Sequence, residues 1–240
     1  MKERAPGGNM VNISHMQFPT RIVLLSVVIL AASALFAAQP TYNYSDKTVV
    51  QLLELLESKD STVRHCAAIF LGDRYRNPEA IVINGPVHKP NSPPPQFPIP
   101  TQVIPHLAEH LKSDPDVLVR MCTVFALCDL RYRTNTTPIL LTGLDDKDKI
   151  VRIRTCTALI GISHDYTEPL QTRVIPTLID CLNPNGEVEQ IWQAAYCAEQ
   201  LGTNGTAVIP ALRTLLTHDS PKVRDYAGRA LLRIKPATKE

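Results

Sequence analysis

Aromatic side chains make up only 5% of the 240 residues, with a single tryptophan, Trp192, and glycine is held to 10 positions. No G-x-G-x-x-G, no P-loop and no G-x-S-x-G elbow can be assembled from those glycines. A backbone cradle for nucleotide phosphates and a nucleophile elbow are therefore excluded by motif. The six cysteines include no C-x-x-C pair, which removes haem attachment and a thioredoxin-like dithiol. Excess charge is also missing. Of the 25 basic and 23 acidic residues, Lys2, Arg4, Arg21 and Glu3 precede Gln39, so the rest of the chain carries 22 of each. Such a balance gives no electrostatic case for nucleic acid.

Present instead is one long apolar run, Ile22 to Ala38, "IVLLSVVILAASALFAA", 17 uncharged residues behind Arg21 and before Gln39-Pro40. A positive flank, a short apolar stretch and the small triplet Ala32-Ser33-Ala34 match a secretory signal peptide, cleaved near Leu35 or after Ala38. The rival reading is an uncleaved anchor, since a span needs roughly 20 residues. In both, residues 39–240 form a domain outside the cytoplasm, periplasmic or secreted, and the membrane is touched only through residues 22–38 if these are retained.

The remaining sequence is repetitive. Val103–Leu111 "VIPHLAEHL", Val174–Leu182 "VIPTLIDCL" and Val208–Leu216 "VIPALRTLL" share V-I-P-x-L-x-x-x-L. Each is followed by a polar turn and a second helical stretch, and four such stretches begin with Val-Arg: Val63-Arg64, Val119-Arg120, Val151-Arg152 and Val223-Arg224. Small or apolar residues follow the valine at the fourth, seventh, eighth and eleventh positions, one face of a helix. The unit is helix A, turn, helix B, with proline in the first turn of A, where its missing N–H costs nothing. Asp60, Asp116 and Asp148 precede the arginines by four residues, a spacing that suits the helix dipole and i,i+4 pairing.

These units resemble HEAT repeats of the short bacterial kind, about five of them, at roughly 45–76, 101–133, 136–164, 170–203 and 206–235. The resemblance implies an all-α fold, a right-handed α–α superhelix of stacked helix pairs. The first unit lacks the helix-A proline, and the fourth replaces Val-Arg with Ile191-Trp192. Successive Val-Arg pairs are 32 residues apart in units two and three but 56 apart in units one and two. The excess of 24 equals residues 77–100, an insertion with eight prolines and extended, partly polyproline II character. In this register Cys66 and Cys122 occupy one helix-B position in adjacent repeats, about 8–10 Å apart. That exceeds the roughly 7 Å limit for a disulfide, so buried free thiols are expected.

One string looks catalytic. His106-Leu-Ala-Glu-His110 fits H-x-x-E-H, in which two histidines one turn apart hold zinc and Glu109 serves as base. The further glutamate that inverzincin peptidases use falls, by count, at Glu187 or Glu189. The repeat register places those near the A–B turn of the fourth unit, two repeats and roughly 20 Å away, so the histidines read as variable helix-A positions. HEAT-like hydroxylases of the deoxyhypusine type carry paired His-Glu dipeptides that bind iron; this chain has none. The expectation is accordingly a non-enzyme without cofactor or metal.

The candidate binding residues are surface positions. Arg74-Tyr75-Arg76 and Arg131-Tyr132-Arg133 fall at matching helix-B ends and predict a basic, aromatic ridge. Trp192 stands where the other repeats carry the Val-Arg arginine. Arginine, tyrosine and tryptophan dominate binding hot spots. The expected function is a non-catalytic scaffold or adaptor whose helix-B face binds another protein, identity open. The alternatives are a membrane-anchored regulatory subunit of an envelope complex and a metal-dependent enzyme using His106, Glu109 and His110.

Overall fold

The computed structural model describes residues 44–76, 102–130, 135–162 and 168–234. All belong to one compact unit, Asn43–Glu240. The apolar run 22–38 and the proline-rich insertion 77–100 lie outside the described residues.

Helix α1 (Val49–Leu56) opens with a capping box: the Gln51 N–H donates to Thr48 Oγ1, and the Thr48 N–H donates to Gln51 Oε1. It is followed by α2 (Ser61–Arg76), α3 (Val103–Ser113), α4 (Val117–Leu130) and α5 (Thr137–Thr142). Then come α6 (Lys149–Ile162), α7 (Ile175–Cys181), α8 (Val188–Gln200), α9 (Ile209–Thr214) and α10 (Pro221–Ile234). Odd-numbered helices pack on the even-numbered ones that follow them. The even-numbered helices also pack on one another in order, α2 on α4, α4 on α6, α6 on α8 and α8 on α10. The described part is thus an all-α, HEAT-like solenoid of helix pairs, and no strand occurs among the described residues.

The proline-containing A helices begin where the sequence places them, with Pro138, Pro176 and Pro210 at the first or second position of α5, α7 and α9. Their core face is a pair of fully or almost fully buried leucines: Leu107 and Leu111, Leu178 and Leu182. The fifth repeat departs from its motif. Leu215 is sealed from solvent while Leu216, the motif leucine, is 43% exposed. A 3-10 turn at Leu215–Thr217 tightens the end of the helix. Residues three apart then eclipse, so Leu215 rather than Leu216 follows Leu212 into the core.

B helices touch through small residues. Ala67, Thr123, Thr155, Ala195 and Ala227 occupy one position in the five repeats and are all fully buried. The two threonine hydroxyls donate to Val119 O and Val151 O, which satisfies them inside the core. Helix α2 approaches α4 closely at Gly72, where a Cβ would lie 2.8 Å from the Ala126 Cα.

What joins repeat to repeat is the Val-Arg arginine. In each of the four cases its Nη1 donates to two carbonyls of the turn behind it: Ser58 and Lys59 for Arg64, Asp114 and Pro115 for Arg120, Asp146 and Lys147 for Arg152, His218 and Asp219 for Arg224. In the first three the other edge of the guanidinium reaches forward. Arg64 donates from Nε and Nη2 to both oxygens of Asp114, at 2.8 and 2.9 Å, and Arg120 likewise to Asp146, at 2.8 and 3.0 Å. Arg152 reaches Asp180 by one bond of 3.2 Å. The aspartates four residues before each arginine therefore do not pair with it. They cap the helices: Asp60, Asp116 and Asp148 accept from the N–H groups of Thr62, Leu118 and Ile150.

The rungs weaken along the chain. Asp114 and Asp146 side chains are 2% and 6% exposed, whereas Asp180 is 62% exposed. Burial alone would raise the Asp114 carboxyl, but Arg64, the Asp116 N–H and His110 outweigh it and hold it below the usual carboxylate range. Its charged form is favoured on folding. The stabilisation is present above the ordinary carboxylate value and lost as pH falls through the lowered one.

Asp114→Ala leaves the Arg64 charge buried without its partner and should cost about 3–5 kcal/mol in urea unfolding at pH 7, whereas Asp180→Ala should cost less than about 1 kcal/mol. The gap between the two variants is expected to narrow as pH falls below about 4, where the Asp114 carboxylate is neutralised.

Candidate functional site

Of the candidate binding residues, the structure describes the side chains of Arg74, Tyr75 and Trp192. Tyr75 is 4% exposed and belongs to the core, which removes it from the expected ridge. The reason is helical: Ala67, Leu71 and Tyr75 stand four apart and share the buried face. Arg74 turns back to the segment ahead of α1 and donates to the carbonyls of Ser45 and Lys47. Arg76 ends α2, but its side chain, like Arg131, Tyr132 and Arg133, lies outside the described residues.

Trp192 takes the rung position of the fourth repeat and is 9% exposed. Its Nε1 donates to Glu189 at 2.6 Å. The Tyr226 ring lies 5.0 Å away, and Lys222 Nζ stands 3.8 Å over the indole while bonding Glu189 at 3.3 Å. An aromatic and cation–π joint thus stands where the other repeats have an arginine–aspartate rung. At the register position of Asp114 and Asp146 the fifth repeat carries His218, whose Nδ1 accepts from the Ser220 N–H, as Asp114 and Asp146 accept from Asp116 and Asp148.

The H-x-x-E-H histidines share one carboxylate from the preceding repeat. His106 Nδ1 meets Glu57 at 2.8 Å and His110 Nε2 meets it at 3.5 Å, while His110 Nδ1 bonds Asp114 at 2.9 Å, behind the first rung. Burial, the largest single effect, would raise the Glu57 carboxyl, but the hydrogen bonds and charges of His106 and His110 together outweigh it, so the net shift is downward. Glu109 accepts from the Ser113 hydroxyl, and Glu189 belongs to the Trp192 joint. Among the described residues, no three His, Cys, Asp or Glu side chains are grouped to hold a metal ion.

None of the six cysteines forms a disulfide: Cys156, Cys181 and Cys197 are buried, and Cys66, Cys122 and Cys128 half-buried. Burial pushes the Cys122 and Cys197 thiols up to about 12, so neither is a thiolate at neutral pH.

What the B helices bring together was not singled out in the sequence. Along α4, α6, α8 and α10 run half-buried Phe125, Arg154, Tyr196 and Tyr226, with exposed Arg229 at the end. Arg154 stands 5.8 Å from the Phe125 centroid, Tyr196 and Tyr226 meet edge to face at 6.0 Å, and Arg229 lies 4.8 Å over Tyr226. Arg229 and Arg233 also pair with Glu199, at 3.1 and 3.6 Å. Among the described residues Arg154 meets no such carboxylate, and burial pushes its pKa down. A signal for it existed: sister repeats place Cys66, Cys122, Ala194 and Tyr226 at that position, so an arginine there breaks an uncharged column.

No family model matches the chain, and no curated protein does. Among solved structures, one engineered protein is 22% identical over 78% of each chain, with a TM-score of 0.49. Human deoxyhypusine hydroxylase in complex with glycerol is 17% identical over 78% of this chain and 73% of that one, with a TM-score of 0.40. A second engineered protein is 18% identical over 79% of this chain and 99% of that one, with a TM-score of 0.36. The hydroxylase corrects one expectation. An enzyme is among the helical structures that match, so the non-enzyme reading does not stand, although likeness at this level assigns no activity to the chain.

Trp192→Ala should cost about 3 kcal/mol, the usual range for removing a buried tryptophan, measured by urea unfolding followed by circular dichroism. Trp192→Arg should not repair the joint, because the rung-partner position of the fifth repeat carries His218 rather than an aspartate, whereas Trp192→Arg with His218→Asp supplies both members of a rung and should recover part of the loss.

Proposed function

We propose that this chain is a short-HEAT-repeat protein whose helix-B face binds a segment of another protein outside the cytoplasm. One observation carries the reading: half-buried Phe125, Tyr196 and Tyr226 share the B helices with Arg154 and Arg229. Rigid aromatic surface and arginine are the residue types that concentrate binding energy, since they bury much area for little lost rotamer freedom. Stacked repeats extend such a surface beyond what one helix pair offers. The near-neutral charge of residues 39–240 favours a protein over a nucleic acid.

The location rests on the 22–38 run, read as an export signal. None of the described helices is long and apolar enough to cross a membrane. A second reading keeps residues 22–38 as an anchor and makes the protein a regulatory subunit held at an envelope membrane; the length and lack of charge of that run favour it.

A photocrosslinking residue at Phe125 on the B face should trap a discrete protein in native envelopes, and one at exposed Arg213 on α9 should not. Equal trapping from both positions, or trapping only from Arg213, contradicts the proposal.

A further inference from the structure

We propose that Arg154 recognises a carboxylate, supplied by an aspartate or glutamate side chain of the protein segment bound on the helix-B face. The proposal rests on the reading of that face as the binding surface, and adds the chemistry of what it takes.

The arginines of this chain make the contrast. Arg64, Arg120, Arg152, Arg173, Arg229 and Arg233 each face a carboxylate. Arg74 and Arg224 hold backbone carbonyls. Arg154, two residues along α6 from Arg152, does neither. Its Nε is sealed from solvent and has no hydrogen-bond partner. Its ring neighbour is Phe125 at 5.8 Å, and the polar groups near enough to act on it are Cys122, Tyr196 and Cys197, none of them a carboxylate. A guanidinium so placed has given up water on one edge without receiving a counter-charge, which is unfavourable for the free protein. It becomes favourable once a carboxylate arrives.

The surroundings select the ligand. One planar fork of donors matches one singly charged carboxylate, and the apolar walls strengthen the pair by excluding water. A phosphate group carries close to two charges and calls for several donors, but no second cation borders Arg154 among the groups that act on it. The aromatic rings of Phe125 and Tyr196 on the neighbouring helices suit the apolar side chains that flank an acidic residue in a peptide.

The test pans a displayed library of random dodecapeptides on the whole chain and measures the synthesised winners by fluorescence anisotropy, each beside versions with every Asp and Glu made amide or replaced by phosphoserine. The expected result is winners that contain an acidic residue and weaken at least tenfold when it becomes an amide. They should weaken at least tenfold on Arg154→Gln and less on Arg154→Lys. Arg154→Leu should also raise Tm, by about 2–4 °C for a domain of this size, because it removes an unpaired charge; a purely structural arginine would lower it. Thr157→Trp, a steric block on the same helix, separates the two readings. Binding lost in Thr157→Trp but unchanged in Arg154→Gln overturns this proposal and leaves the binding face standing, and binding unchanged in both overturns both. Winners without acid, tighter binding of the phosphoserine versions, or a lowered Tm in Arg154→Leu each overturn the carboxylate assignment.

Discussion

The two-edged arginine clasp is the interaction on which the stacking depends. In Arg64, Arg120 and Arg152 one nitrogen of the guanidinium closes the turn of its own repeat, and the opposite edge grips the following repeat. A single side chain thereby makes turn geometry and repeat stacking conditional on each other. Half the clasp is unavailable to an isolated helix pair, which leaves a buried charge unmet, so a repeat gains its stability from its neighbour. The strength of the clasp follows burial: strong at Arg64–Asp114 and Arg120–Asp146, weak at the exposed Asp180, and absent at Trp192, where the tilted Tyr226 ring and Lys222 replace it.

Much of this could be read from residue spacing. The helix-A leucines and the small helix-B residues follow the 3.6 period, and the solenoid follows from repeating it. Misreadings arose where local geometry departs from that period or where an interaction leaves its own repeat. A 3-10 turn exchanged Leu216 for Leu215. Tyr75 went inward because it continues the series Ala67 and Leu71, four residues apart on the buried face of α2. The Asp60, Asp116 and Asp148 spacing looked like i,i+4 pairing, yet the arginine partners lie 26 to 50 residues away, a distance that no single-helix rule covers. The aromatic row was invisible as a motif because it takes one or two residues from each of four helices.

The contrast between Arg152 and Arg154 shows how the same residue type serves two ends on one helix. Arg152 spends its donors on the fold, and Arg154 keeps its own unspent. A solenoid tolerates such an uncompensated group because its stability is distributed over many nearest-neighbour interfaces. The same distribution explains why catalysis is not excluded by this architecture: the scaffold carries whatever its exposed faces present.

The central claim is that the arginine–aspartate rungs couple adjacent repeats. A double-mutant cycle on Arg120 and Asp146, with both single alanine variants and the double variant unfolded in urea, tests it most directly. A coupling energy above about 1.5 kcal/mol is expected for a buried pair in direct contact. Single effects that simply add, to within about 0.5 kcal/mol, would contradict it and make the rung a by-product of helix packing.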